Sequence, residues 1–383
     1  MTALMAIDLS AAFDTVDHDV LLSVLSAKFG VVGTALSWFD SYLRPRTCTV
    51  HIGSKHSSPK EVAFSVPQGS CLGPVLFLAY SSTMHEIVPV GMDLHGFADD
   101  HALKKAFSTR ANAEQNEQST TLELENASIQ IKSWMDQHRL KMNSAKTEFI
   151  LFGSSAQLKK CSVNHITVNG DNVERTNMIK YLGAWMDENL TFKKHITKKC
   201  QIAAYSLHKI RCVRKYLTED ACHILVRGLV ISHLDYANAI LVNLPKCDIN
   251  KMQRIQNMAA KVIKGKGRYD SSTETLKSLH WLPIHLRIHH KILCTVFKCM
   301  QGNAPLYLQE LLVMDDMPRN MRLRSDNVVK KLKIPRTQRK TFASRSFSVV
   351  GPTMWNALPN DLKAVESLDV FKNKLKTHLY SHF

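Results

Sequence analysis

Two acidic runs stand out as residues that could do chemistry together. Asp8 ends the apolar run Ala3–Asp8, and Asp99-Asp100 ends Gly96-Phe97-Ala98-Asp99-Asp100. Each follows an apolar stretch that reads as a buried strand, where a carboxylate is costly unless positive charge meets it. A pair of divalent metal ions supplies that charge most economically, and paired metals on carboxylates drive phosphoryl transfer. Mg²⁺ takes oxygen ligands in octahedral geometry, often from one or two carboxylates plus substrate phosphates. Asp8 and Asp99 supply such donors, with the backbone carbonyl of Leu9 as an added one. A polar hairpin turn is the plainer reading of Asp-Asp alone.

Other residues are placed to serve such a site. Phe13 lies five residues after Asp8, where its ring could sit beneath an incoming sugar and clash with a 2′-hydroxyl; a core phenylalanine is the plainer reading. Pro67-Gln68-Gly69-Ser70, followed by Leu72-Gly73-Pro74, is a turn-rich entry to a helix. Gly69 permits close backbone approach, a helix N-terminus favours anions, and Gln68 could contact a nucleotide or template. Lys146 precedes the strand Glu148–Phe152 and could act as a general acid. An exposed lysine before a strand fits it equally well.

The elements that must hold these residues divide the chain. Ala3–Asp8 reads as a strand, Asp17–Phe29 and Gly33–Leu43 as helices, and Thr47–Ile52 with Glu61–Val66 as a hairpin pair. Gly73–His85 reads as an apolar helix. Met92–Ala98 and Ala102–Phe107 flank the Asp-Asp turn, and Ala113–Gln137 is a long amphipathic helix. Asn169-Gly170 turns a hairpin, and Tyr181–Met186 is expected to continue the sheet. After about residue 193 the pattern is helical, over 196–210, 220–241, 249–264, 286–300 and 367–380. Lys194, Lys198, Lys199, Lys209, Arg211 and Arg214 are expected on the outer face of the first of these. His285, His289 and His290 lie on another and read as packing or phosphate-contacting residues. Asp315–Arg345 reads as a basic linker, and Lys330-Lys331-Leu332-Lys333 as a phosphate-binding or import segment.

Charge divides at the same place. Residues 1–190 carry 16 Lys/Arg against 20 Asp/Glu, whereas residues 191–383 carry 34 against 13. A block this basic reads as a nucleic-acid-facing surface; a solvated helical exterior is the bland alternative. The 9 cysteines contain no Cys-x-x-Cys pair, which argues against a zinc ribbon. Their odd number favours a reducing compartment. No apolar run approaches a membrane span, and the short N-terminal apolar run carries Asp8, which makes it a poor signal peptide.

In order and spacing, these pieces resemble the reverse transcriptase of a non-LTR retrotransposon of the LINE, Jockey-like kind. The run from Asp8 to His18 resembles the first palm motif, Val66-Pro67-Gln68-Gly69-Ser70 with Leu72-Gly73-Pro74 the second, and Phe97-Ala98-Asp99-Asp100 the catalytic turn. Asn143 with Lys146-Thr147 resembles the fourth motif, and Tyr181-Leu182-Gly183 the primer grip. Gly351-Pro352, Trp355-Asn356-Ala357-Leu358-Pro359 and Phe371-Lys372 resemble the ending of such elements.

The resemblance implies an α+β right-hand polymerase palm, an antiparallel sheet backed by helices, over residues 1–190. A helical thumb and post-thumb region over 191–310 and a basic linker with a C-terminal helical segment over 311–383 would follow. It implies two Mg²⁺ ions, with Mn²⁺ as a substitute, on Asp8, Leu9, Asp99 and Asp100. Asp100 becomes the third catalytic carboxylate, Lys146 the general acid and Phe13 the sugar gate. Leu9, Phe13, Gln68 and Gly69 would line the nucleotide site, and Leu182-Gly183 would grip the primer. An RNA template, a DNA primer and deoxynucleoside triphosphates are the implied partners, with no membrane, and reverse transcription at a chromosomal target implies nuclear access. The chain departs from the pattern at its front, where only seven residues precede Asp8. The fingers region that clamps the triphosphate in the family is thus expected to be largely missing. A second reading, of another class, is a non-catalytic nucleic-acid-binding remnant of such an element.

Overall fold

The computed structural model describes residues 1–110, 112–315, 331–337 and 340–383. The chain forms two compact units, Met1–Thr191 and Phe192–Phe383.

The first unit is built on strand β1 (Thr2–Ile7), whose apolar residues are buried on both sides. Such a run suits only a central strand covered on each face. Helices α1 (His18–Phe29), α2 (Gly33–Leu43) and α3 (Gly73–Ser81) follow. Then come strands β2 (Asp93–Phe97) and β3 (Asp100–Ala106), helix α4 (Ala113–Gln137), and strands β4 (Glu148–Phe152), β5 (His165–Val168), β6 (Asp171–Thr176), β7 (Met178–Tyr181) and β8 (Ala184–Asp187). Six strands make one sheet in the order β5-β6-β4-β1-β3-β2. All neighbours are antiparallel except β4 and β6.

Ala3, Met5 and Ile7 face a core completed by Leu76, Phe77 and Tyr80 of α3 and by Leu124, Ala127, Ile131 and Met135 of α4. The α4 residues recur every three or four positions, the stripe a helix needs to lie on a sheet. On the other face Leu4 packs with Ala102, Ile150 and Ile179. That contact corrects one expectation. Tyr181–Met186 does not continue the sheet: the chain reverses at Leu182 and Gly183, both at positive φ, and β7 and β8 pair as a separate hairpin. Ile179 of that hairpin packs over the sheet face.

Three more expectations change. The strand before Asp99 is not buried: β2 is an edge strand with only Leu94 inside, because it has a neighbour on one side alone. The hairpin arm Thr47–Ile52 finds its partner closer in the chain than expected: Thr47–Cys48 pairs with Lys60–Glu61, and His51–Ile52 with Lys55–His56. Residues 64–66 instead run beside 13–17, with Val66 N–H donating to Phe13 O at 2.9 Å and Ser65 N–H to Val16 O at 2.9 Å. The apolar helix stops at Ser81 and tightens into a 3-10 turn over Ser82–Ile87.

The helix boundaries with clear chemistry fall where the sequence puts them. Asp17 caps α1, its carboxylate accepting from Asp19 N at 2.9 Å and Val20 N at 3.2 Å, and Gly30 ends it at φ +64°. Arg139 Nε lies 2.6 Å from the buried Asp17, and Tyr80 Oη accepts from Asp17 N at 3.3 Å. Burial raises the Tyr80 phenol to about 12, so it stays protonated as it donates to His138 O.

The second unit is helical. Its main elements are α5 (Lys193–Val213), α6 (Glu219–Val226), α7 (Lys246–Lys264), α8 (Ile284–Met300), α9 (Phe347–Asn356) and α10 (Leu368–Ser381). Ile196, Ala203, Leu207 and Ile210 of α5 and Met252, Ala259 and Ile263 of α7 are buried. Phe297 of α8 stacks on Phe371 of α10 at 4.3 Å. The helix expected over 220–241 is broken. After α6 the chain widens into a π-helical turn over Arg227–Ile231, resumes for Ser232–Asp235, and leaves helical geometry at Tyr236. Gly228 lies in the widened turn, and Ala237 takes φ +51°. Arg214 is not on the outer face: its guanidinium caps the C-terminal end of α7 through Val262 O and Ile263 O, each at 2.8 Å.

Most of the basic segment 315–345, including Lys330, lies outside the described residues. Its described part is anchored: Leu332 is buried and exchanges two hydrogen bonds with the Asn356 amide, at 3.0 and 2.7 Å. Among the described residues no helix is long and apolar enough to cross a membrane.

Candidate active site

The antiparallel pairing of β1 with β3 sets the site. Ile7 pairs with His101, so Asp8, one residue beyond, reaches the start of β3 beside Asp100. The β2–β3 turn is two residues long, with Phe97 opposite Asp100, and it holds Ala98 at φ +55°. An alanine rarely takes that conformation, so the hairpin imposes it, presenting Asp99 at the tip. His101 steadies the turn: it is buried, its Nδ1 lies 3.2 Å from Asp99 O, and its ring packs where only Gly96 leaves room. Burial lowers its pKa and favours the neutral ring.

The structure therefore brings Asp8, Asp99 and Asp100 together. Burial first, and then the charges of Asp99 and Asp8, raise the Asp100 carboxyl above its ordinary range. Asp8 is held from behind. Its carbonyl accepts from Asn143 N at 2.9 Å, and Leu9 and Ser10 pair with Met142 and Lys141. Its Oδ2 is buried without a hydrogen-bond partner, and Lys146 Nζ stands 3.6 Å away. Lys146 is thus at the site, on the 3-10 turn Ser144–Lys146, with its side chain 70% exposed.

Hard oxygen donors, mutual repulsion and an orphaned carboxylate oxygen fit a divalent cation. Among the described residues no three His, Cys, Asp or Glu side chains close into a ready-made metal cage. Bound ions would draw remaining ligands from substrate phosphates, as Mg²⁺ commonly does.

The repulsion is testable without metal. A carboxyl whose pKa is raised in the fold favours the protonated, low-pH state and loses stability as pH rises through that pKa. Asp100→Asn should therefore leave the melting temperature in EDTA at pH 7 equal to or above that of the parent. A clear drop would show that Asp100 is held by favourable contacts instead.

Phe13 lies on the turn after Asp8, half-buried, its ring stacked on the fully buried Phe77 at 4.6 Å. Gln68 is engaged with the first motif. Its Nε2 donates to Asp14 Oδ1 at 3.1 Å, tying the second motif to the first. Gly69 takes φ +79°, and Gly73 sits where a Cβ would meet Ser70 Oγ at 3.0 Å and Pro67 O at 3.1 Å. Leu182 and Gly183 form the β7–β8 turn; beside it Tyr181 Oη reaches His95 O at 3.5 Å. Burial, and next the Asp100 charge, raise the Tyr181 phenol pKa, so this hairpin approaches the carboxylates.

Asp14 and His101 escaped sequence reasoning. Asp14 could have been noticed as a second carboxylate on the Asp8 turn. His101 gave no signal, because a histidine beside two aspartates reads as exposed.

Residues 1–186 match the family model for reverse transcriptase (RNA-dependent DNA polymerase). Among curated proteins, the chain is 26% identical over 270 residues to the "Probable RNA-directed DNA polymerase from transposon X-element" of Drosophila melanogaster, covering 68% of this chain and 28% of that one. It is 26% identical over 311 residues to its transposon BS counterpart from the same organism, covering 75% and 33%. It is 30% identical over 198 residues to the RNA-directed DNA polymerase from the D. melanogaster mobile element jockey, covering 50% and 20%. The chain thus spans a third or less of the length of these relatives. A solved apo telomerase from Candida tropicalis aligns over 75% of this chain and 47% of its own at 11% identity, with a TM-score of 0.39, too slight a likeness to argue from. The first unit thus matches the reverse transcriptase family, and the chain is similar to RNA-directed DNA polymerases of jockey-like mobile elements over part of their length.

Proposed function

We propose that the chain is the polymerase part of such an element, an RNA-directed DNA polymerase that extends a DNA primer on an RNA template. The meeting of Asp8 with Asp99-Asp100 at adjacent strand ends carries this reading. Residues 1–190 are read as the palm, and residues 191–310 as thumb and post-thumb helices. Asp8, Asp99 and Asp100, with the Leu9 carbonyl, would hold two Mg²⁺ ions or Mn²⁺ in their place. Bound there, such ions supply Lewis acidity to the primer 3′-hydroxyl and the leaving pyrophosphate.

The remaining roles belong to the protein. Lys146 Nζ donates a proton to the leaving pyrophosphate, and until substrate arrives it offsets the Asp8 charge. Gln68, braced by Asp14, and Gly69 line the nucleotide site. Leu182-Gly183 positions the primer end. Phe13, backed by Phe77, excludes a 2′-hydroxyl from beneath the sugar. Work at a chromosomal target would place the protein in the nucleus.

The test is primer extension by the full chain on an RNA template, with Mg²⁺ and with EDTA. Extension only with the metal is expected; none in either condition sinks the reading for this chain. Phe13→Val should shrink the preference for deoxynucleotides over ribonucleotides, read as the ratio of kcat/KM values. A change of about 10- to 100-fold is expected, the scale on which a pocket senses one hydroxyl. An unchanged ratio would return Phe13 to a purely packing role.

A further inference from the structure

Within the second unit lies a cavity of about 610 Å³, in the size range of small-molecule sites. Helical spacing turns two basic faces into it. On α8, Arg287, His290, Lys291 and Cys294 recur at steps of three and four; on α10, Lys372 and Lys376 are one turn apart. The π-helical turn after α6 brings Arg227 to the same space. Five Lys/Arg line the cavity against one carboxylate, Asp235. Arg227, Lys291 and Lys376 are exposed at the open side of the cavity and Arg287, His290 and Lys372 are partly buried, so positive charge converges on a space that an anion can enter from solvent.

Asp235 does not neutralise the group. Arg287 occupies both its carboxylate oxygens, through Nε at 2.8 Å and through Nη2, and Asn238 Nδ2 adds a bond at 3.2 Å. Lys291 Nζ is spent on Asp235 O at 2.8 Å. Lys372 pairs with Asp369 at 3.1 Å, a bridge open to solvent and therefore weak. Among the described residues Arg227 and Lys376 have no carboxylate partner. The field shows at His290, whose pKa falls through burial first and then through Arg287, Lys376 and Lys372.

Two observations add to charge. His223 Nε2 and Asn238 Oδ1, on residues lining the cavity, are buried without a hydrogen-bond partner, a state costly enough to point to a polar ligand. Ile231, Leu279, Trp281 and Leu282 give the wall an apolar side. Inorganic phosphate would use the charge and leave that side idle.

We propose that this cavity binds a phosphate-bearing nucleotide, its phosphate on Arg227, Lys372 and Lys376 and its sugar or base against the Trp281 side. The nucleotide is either free or the terminal unit of a strand; the chemistry is the same. This site is independent of the carboxylate centre.

The test uses the full chain in EDTA at low salt, which silences metal-dependent nucleotide binding. Probes are dAMP, a 5′-phosphorylated oligothymidylate and inorganic phosphate, followed by calorimetry and by tryptophan fluorescence with Trp281→Phe as the local control. Either nucleotide probe should bind, and Arg227→Ala with Lys376→Ala should weaken it at least about tenfold, the scale of a lost charge-assisted hydrogen bond. Lys198→Ala with Lys374→Ala removes equal charge from exposed positions outside the cavity and should change binding far less. Binding of dAMP that competes with the oligonucleotide identifies a single-nucleotide site; binding of the oligonucleotide alone identifies a strand end. Asp99→Asn should leave binding intact, so failure of the polymerase reading does not touch it. No binding by either nucleotide probe, equal losses in both double variants, or phosphate as tight as dAMP would each overturn the proposal.

Discussion

Asp99→Ala should lower Mg²⁺-dependent extension of a DNA primer on an RNA template by about 100- to 1,000-fold, the scale on which one charge-stabilising group in a water-poor site acts. The loss is expected to be this large because the site has few donors. Asp99 sits at the tip of a two-residue turn that the chain builds at the expense of a left-handed Ala98, beside Asp100 and Asp8. Asp93, in the same hairpin, is the control. It lies at the far end of β2, 70% exposed, with Lys104 at 3.5 Å, and Asp93→Ala should leave extension within about twofold, since surface substitutions away from special features are near neutral. Extension that survives Asp99→Ala would refute the assignment of this carboxylate to the reaction.

Phe77→Ala should destabilise the first unit by about 3–5 kcal/mol, the usual cost of emptying a fully buried phenylalanine site. Phe77 is wholly buried on α3, and it carries the Phe13 ring on its face at 4.6 Å with 28° between planes. Stacking of that kind adds about 0.5–1.5 kcal/mol to plain burial. The measurement is urea unfolding with hydrogen exchange read at β1 and α3, because two units need not melt together. Phe77→Leu should recover much of the loss, since it leaves a smaller cavity than alanine does. An unchanged unfolding midpoint for the first unit in Phe77→Ala would show that α3 does not support the sheet as described. The same variant should also blunt sugar discrimination, because the Phe13 ring would lose the surface that sets its height.

Much of the first unit was legible because its signals are local. Asp17 and Gly30 bracket α1 by capping chemistry, the α4 stripe repeats at helical spacing over Ala113–Gln137, and Asn169-Gly170 turns β5 into β6. Signals failed where the deciding partner is distant in the chain. Met92–Ala98 looked buried from its composition, yet an edge position exposes it. Glu61–Val66 alternates like a hairpin arm, but only its start pairs with the first arm, through Val62 N and Arg46 O, and residues 64–66 run beside 13–17 instead. The helix over 220–241 has good periodicity and still breaks, and the break brings Arg227 and Asp235 to one cavity.

The sequence by itself determined the order of the motifs, the division of charge between acidic and basic halves, and the residue types at Asp8, Asp99, Asp100 and Lys146. These are properties of composition and local spacing, which survive without knowledge of the fold. Only the tertiary structure decided that Ile7 pairs with His101, so that carboxylates far apart in the chain repel one another across one strand end. It alone decided that Gln68 answers to Asp14, and that Lys146 stands 3.6 Å from Asp8. Strand register and side-chain pairing depend on long-range packing, where a slip of one residue moves every side chain to the other face.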